Sequence, residues 1–298
     1  MAENKIADLS MENQYLPDKC EFDERRTVCM SITQLLHLKN ASNIELSKQL
    51  EGDITYSVLF RILQNDCTDI FYNEGVIVCY SNPPYPIWVW CKDVSKTSDI
   101  ISIANCIKRN YPLDENYNII MGYDVLEQLK KCDSYFENVS FKMELFSYQL
   151  REINEIDYSC DGHAMLAELA DLDVIACAFK DMYYEMEKLV FSAQECREKA
   201  LGLINNNQLY VWKNKNGEIV ALTSKIIEGK YGSISSVYTL PMARRKGYAI
   251  NLVHRVSQEL LSNDITPILY TNGNYIASNE CYRKIGFEQV GRICNIKR

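Results

Sequence analysis

Val237-Tyr238-Thr239-Leu240-Pro241-Met242-Ala243-Arg244-Arg245-Lys246-Gly247-Tyr248-Ala249 is the stretch whose reading decides the fold. It reads as a strand end, a basic loop and the start of a helix. Before it, Gly232 to Leu240 is rich in β-branched and aromatic residues, which suit a pleated, half-buried strand. Pro241 has no N–H to give a ladder and stops the strand. After it, Ala249, Leu252, Val253, Val256 and Leu260 recur at helical spacing, with Asn251, Arg255, Gln258 and Glu259 on the other side. A basic loop that opens a helix is an anion site, because the first-turn N–H groups lack partners within the helix and the macrodipole is positive there. Gly247 removes a Cβ that would hold a phosphate away from the backbone.

The core Arg244-Arg245-Lys246-Gly247-Tyr248-Ala249 resembles the pyrophosphate loop of the GNAT acetyltransferase superfamily, Arg/Gln-x-x-Gly-x-Gly/Ala. A short glycine pattern is weak alone. Its setting strengthens it: strand, proline, loop, amphipathic helix, and a second motif downstream. That motif runs Leu269-Tyr270-Thr271-Asn272-Gly273, then Ala277 to Phe287, and is similar to the family segment ending Tyr-x-x-x-Gly-Phe, here Tyr282 to Phe287.

The resemblance implies acetyl-CoA as acyl donor and Tyr282 as the acid that protonates the leaving thiolate. A phenol of pKa about 10 holds its proton at neutral pH and can give it to a thiolate of pKa about 8.5 or above. Val237, Tyr238 and Thr239 match the strand whose backbone holds the pantetheine and the acetyl carbonyl, where an N–H can stabilise an oxyanion. Arg244, Arg245, Lys246, Gly247, Tyr248 and Ala249 match the residues around the diphosphate. Asn279, one turn before Tyr282, is a candidate for the pantetheine or phosphate arm. In many members that asparagine stands seven residues before the tyrosine, a place held here by Tyr275. The implied acceptor is an amine on a small molecule or peptide. Asp181, Glu185 and Glu187, with Tyr183 and Tyr184, are candidates for holding its cationic form. Ser235 and Ser236 occupy the central strand, and neither is a base at neutral pH.

The 298 residues favour two domains. The net charge of −8 makes the chain a poor general binder of nucleic acid or anionic membrane, so the basic loop fits a small anion. Twelve cysteines without CxxC pairs, three scattered histidines and no apolar run of membrane-spanning length point to a cytoplasmic chain with reduced thiols and no metal.

Residues 1–25 read as polar and loosely ordered. Helices are expected over Met30–Leu38, Ile44–Leu50, Ser57–Gln64, Ile100–Lys108 and Val125–Cys132. Strands are expected over Gly75–Tyr80, Ile87–Cys91, Asn118–Met121 and Phe141–Leu150. Arg151 to Gly162 is polar, with a turn signal at Asp161-Gly162, so the boundary falls there: residues 1–150 form one α/β domain and 151–298 a second. From His163 onward the order is β-α-α-β-β-β-α-β-α-β, that of the GNAT fold, a mixed central sheet flanked by helices. The resemblance covers roughly residues 160–298. The first domain lacks a basic glycine loop; it is either a degenerate second GNAT-like domain or an unrelated α/β domain that shapes the cleft. Two functions stay open: an N-acetyltransferase working by direct transfer in a ternary complex, or a non-catalytic acyl-CoA-binding or regulatory module.

Overall fold

In the computed structural model, residues 34–82, 85–113, 117–187 and 190–297 are described. Twelve strands form one mixed sheet in the order β1-β2-β3-β4-β5-β12-β6-β11-β10-β9-β8-β7. The first half runs β1 (Leu36–Ala41), α1 (Ile44–Ser47), α2 (Ser57–Ile62), β2 (Cys67–Tyr72), β3 (Val76–Tyr80), β4 (Ile87–Cys91), α3 (Thr97–Asn110), β5 (Ile119–Gly122), α4 (Tyr123–Cys132) and β6 (Ser140–Gln149). The second runs β7 (His163–Leu166), α5 (Leu172–Glu187), α6 (Ala193–Asn205), β8 (Leu209–Lys213), β9 (Ile219–Glu228), β10 (Tyr231–Thr239), α7 (Tyr248–Leu261), β11 (Thr266–Asn272), α8 (Ile276–Ile285) and β12 (Glu288–Lys297). The two halves therefore repeat one element order, β-α-α-β-β-β-α-β-α-β.

Each half exchanges its last strand. β6 leaves the first half and pairs antiparallel with β11, Leu269 facing Tyr148. β12 returns to pair antiparallel with β5, Ile293 facing Gly122. The exchanged strands pair with each other over their whole length, from Glu288↔Gln149 to Lys297↔Ser140. Residues 32–298 consequently group as one compact unit.

Helices cover both faces. α3 and α4 share a core with β3 and β4, built on Ile100, Ile103, Ile107 and Leu129; α1 and α2 pack Leu46 and Leu59 on the other face. In the second half, α7 buries Leu252, Val253, Val256 and Leu260 against the sheet, and α5 and α6 cover the opposite face. Burying each such side chain is worth roughly 1.5–3 kcal/mol, so the amphipathic stripe seen in the sequence seats α7. Gly286 at φ 112° ends α8 in the left-handed region that favours glycine.

Three expectations need correction. The helix expected over Met30–Leu38 is absent from its described part, where Leu36 begins β1 and faces Tyr72 of β2; residues 30–33 lie outside the described residues, as do residues 1–25. His37 stacks on Phe71 with ring centroids 4.1 Å apart, a cross-strand contact that outweighs local helix preference. β2 was not anticipated, because Asp69 and the polar residues before Cys67 hide the strand pattern. Residues Phe287 to Ile293 read as the last strand, whereas β12 runs Glu288–Lys297, because it crosses into the first half and gains partners there.

Candidate acyl-transfer site

The sheet opens between β10 and β11. The two run parallel from Tyr231↔Thr266 to Ile234↔Leu269 and then lose register contact. A bulge follows on the other edge of β10, where the pairing with β9 jumps between Ser235 and Tyr238 and Ser236 takes φ 54°. The extra residue bends β10 away from β11 and turns its backbone into the opening. On the β11 side the stretch Val237 to Thr239 thus borders a groove rather than a strand, while Tyr238 and Thr239 still pair with Leu222 and Ala221 of β9.

At the end of β10, residues 241–243 make one tight helical turn led by Pro241, and the loop reaches α7. Gly247 is the α7 N-cap at φ 81°, and Arg245 also lies in the left-handed region at φ 61°. This curl aims successive N–H groups at one point ahead of the helix start. An added Cβ at Gly247 would meet nothing closer than 3.4 Å, so the glycine is required by φ rather than by crowding.

The loop's cations divide. Arg244 makes two hydrogen bonds to the Glu185 carboxylate, each 2.6 Å, and one of 3.1 Å to the Thr239 carbonyl. Its guanidinium also lies 5.4 Å from the Tyr238 ring centroid. The Tyr238 phenol donates to Glu185 at 3.2 Å, and burial, then the Glu185 charge, raises its pKa. Arg244 therefore anchors the loop to α5. Arg245 and Lys246 are exposed and form no ion pair among the described residues. They are the loop's cations left open to an anion among the described residues. Tyr248 is buried, with its phenol bonded to Asp161, so it offers the groove only its backbone.

Two clefts meet beside this loop. The groove along Thr239, Arg244, Arg245 and Ala249 has a volume of about 540 Å³. A second cleft of about 350 Å³ lies between β6, α5 and the opened β10. Met186, Val237, Tyr275, Ser278 and Tyr282 line both, forming a neck. Tyr282 is buried against Tyr148 and Phe287, with ring centroids 6.3 and 6.0 Å away. Burial pushes its phenol pKa well above the ordinary value, so it keeps its proton through neutral pH. Cys281 also lines the groove, and burial pushes its thiol up to about 12, so it is not a thiolate nucleophile.

Asn279 is 2 % exposed and spends its side chain inside the protein. It accepts from the Tyr148 phenol at 3.1 Å and donates to the carbonyls of Asn272 and Tyr275 at 3.0 and 2.9 Å. It fastens α8 to the end of β11 and so sets the position of Tyr282. The acidic end of α5 is arranged differently from the sequence reading. Glu185 is taken by Arg244, and Met182, Tyr183 and Met186 face the second cleft; the side chain of Glu187 lies outside the described residues. Met143 and Leu145 of the exchanged β6 complete that wall. Nothing local in residues 140–149 announces this role, since it follows from pairing with β11.

The corresponding place in the first half is filled from within. Asp99, in the first turn of α3, is 1 % exposed and pairs with Lys96 at 3.3 Å. A carboxylate already sits at the helix start where a phosphate would need positive potential. The Tyr56 phenol accepts from the Gly122 N–H at 2.8 Å and closes the end of β5.

Comparison with known proteins agrees with this architecture. Residues 214–295, from the β8–β9 turn through Tyr282, match the family model "FR47-like protein". A GNAT-family acetyltransferase from Colwellia psychrerythraea superposes with a TM-score of 0.60 at 14 % identity, covering 88 % of this chain and 98 % of that one. A GCN5-related N-acetyltransferase from Sphaerobacter thermophilus gives 0.57 at 10 % identity, over 80 % of this chain and 84 % of the other. A Drosophila protein gives 0.57 at 13 % identity, over 86 % and 90 %. No curated protein matches the chain by sequence. Fold and matched segment agree: this chain has the GNAT acetyltransferase fold, with an FR47-like segment over residues 214–295.

Proposed function

We propose that the protein is an acetyl-CoA-dependent N-acetyltransferase that transfers acetyl directly to a primary amine in a ternary complex. The observation that carries this reading is the neck: the groove ahead of the basic loop and the second cleft share Val237 and Tyr282. A donor in one and an acceptor in the other meet there, and alignment alone supplies much of the rate.

Acetyl-CoA would bring the acyl group activated as a thioester. Arg245, Lys246 and the N–H groups of residues 245–249 bind its diphosphate. The β10 backbone over Val237 to Thr239 holds the pantetheine in extended form, and a backbone N–H there stabilises oxyanion charge. Tyr282 gives its proton to the departing sulfur. Its raised pKa suits that task because a thiolate in the same dry neck is also a stronger base than in water. The first half, with Asp99 and Tyr56 in place, takes no coenzyme and acts as the degenerate partner of a tandem pair. On this reading each chain binds one coenzyme A.

Among the described residues no carboxylate or imidazole lines the second cleft. The amine therefore loses its proton to water before attack. The same feature supports the rival reading of a non-catalytic acyl-CoA-binding module. Mass spectrometry of an amine panel incubated with acetyl-CoA separates the two. Acetylated product, lost in Tyr282→Phe, supports the enzyme. Coenzyme A binding without product from any amine supports the binding module. We assign the protein to a reducing compartment, the cytoplasm: the described cysteines are free thiols, and no described helix is long and apolar enough to cross a membrane.

A further inference from the structure

The second cleft has a chemistry that restricts its occupant. Met143, Leu145, Met182, Met186 and Ile234 make it largely apolar. The one charged side chain among its described lining residues is Lys199 of α6. The Lys199 ammonium donates a hydrogen bond to the Tyr183 phenol and lies 4.7 Å from that ring's centroid. It forms no ion pair among the described residues. Two described acids beside its lining residues are engaged elsewhere: Glu185 with Arg244, and Glu144, between Met143 and Leu145 on β6, with Arg292.

We propose that the acceptor is an amphipathic amine carrying an oxyanion, a carboxylate in the simplest case, at the end away from the reacting nitrogen, with an apolar segment between. This rests on the acetyltransferase reading and narrows it. A polyamine would bring further ammonium groups to a cleft whose described lining holds a lysine and no acid, and like charges repel. A carboxylate meets two donors at one point. The Lys199 ammonium has protons to spare, and the Tyr183 phenol, which accepts from Lys199, still has its own proton to give. The methionines adapt to the chain between the two ends.

The test is a matched panel with acetyl-CoA: γ-aminobutyrate, ω-aminohexanoate and ω-aminooctanoate against the same amines without the carboxylate, with spermidine as the cationic member. The carboxylate-bearing member of each pair is expected to show a kcat/KM about tenfold or more above its neutral partner, with the gap narrowing as salt is added. In Lys199→Met that ratio falls towards one, chiefly through a raised KM for the carboxylate member, and Lys199→Arg retains it. Lys199 is exposed, so both variants should fold; thermal melting checks this. A wild-type preference for neutral or polycationic amines, or a ratio that survives Lys199→Met, overturns the proposal. Coenzyme A binding with no acetylation of any panel member overturns it together with the acetyltransferase reading, whereas turnover with the wrong preference overturns the acceptor class alone.

Discussion

The Tyr275 phenol donates a 3.0 Å hydrogen bond to the backbone carbonyl of Met186, joining the start of α8 to the end of α5 across the neck. Both residues line both clefts, so this contact sits where, on the proposed reading, donor and acceptor meet. A hydrogen bond of this kind is worth about 0.5–1.5 kcal/mol net. Tyr275→Phe is expected to raise KM for both substrates by roughly two- to tenfold, with a smaller effect on kcat. Steady-state kinetics decide it; unchanged KM values for both substrates would mean that the tie does not shape the neck.

Tyr282→Phe removes the proposed proton donor while keeping the ring that packs on Phe287. A fall in kcat of about 100- to 10,000-fold is expected, with coenzyme A affinity within a few-fold of wild type. The pH profile carries a second expectation. Burial raises the Tyr282 pKa, so its acid form persists as pH rises and kcat should show no loss between about pH 7 and 10. With no described base lining the acceptor cleft, kcat/KM for the amine should climb about tenfold per pH unit up to the amine's own pKa. A plateau beginning near pH 7 would reveal a base that the cleft lining does not contain.

At the loop, charge and backbone can be separated. Arg245→Glu with Lys246→Glu should weaken coenzyme A binding by at least about tenfold and flatten its salt dependence, since two exposed cations are replaced. Gly247→Val should weaken binding through strain, because a β-branched residue resists φ 81°. Calorimetry at two ionic strengths reads both effects. Equal salt dependence in wild type and the double variant would remove the loop from the diphosphate site.

Asn279→Ala tests whether this residue positions or binds. It removes the acceptor of the Tyr148 phenol and two side-chain hydrogen bonds to carbonyls that keep a backbone N–H each, a loss of roughly 1–3 kcal/mol of stability. Denaturant unfolding should show that loss. An unchanged midpoint together with weakened coenzyme A binding would instead make Asn279 a ligand of the pantetheine arm.

Removing the first half should unfold the second. A fragment of residues 151–298 lacks β6, which separates β11 from β12, and loses the fully buried Tyr148 and Leu150. It leaves β11 with a bare edge and β12 with no partner strand, a state prone to aggregation. No cooperative melting transition is expected for the fragment by circular dichroism; a sharp one would show that β12 can close the second half by itself.

Much of this protein is written locally. Pro241 ending a strand, Gly247 opening α7, the stripe Leu252, Val253, Val256 and Leu260, and Gly286 stopping α8 are short-range signals, and each element lies where its residues ask. The repeated helical and strand periods from His163 onward define the element order for the same reason: backbone preference and one-sided burial act within a few residues. Tertiary structure decided the rest. The exchange of β6 and β12 depends on pairings between segments more than a hundred residues apart, and a strand's pattern does not name its partner. The bond of Arg244 to Glu185, the withdrawal of Asn279 into the interior, and the wall of Met143, Leu145 and Lys199 follow from that exchange and from α5 packing across it. Periodicity states which face of an element is buried; only the closed sheet determines what that face is buried against.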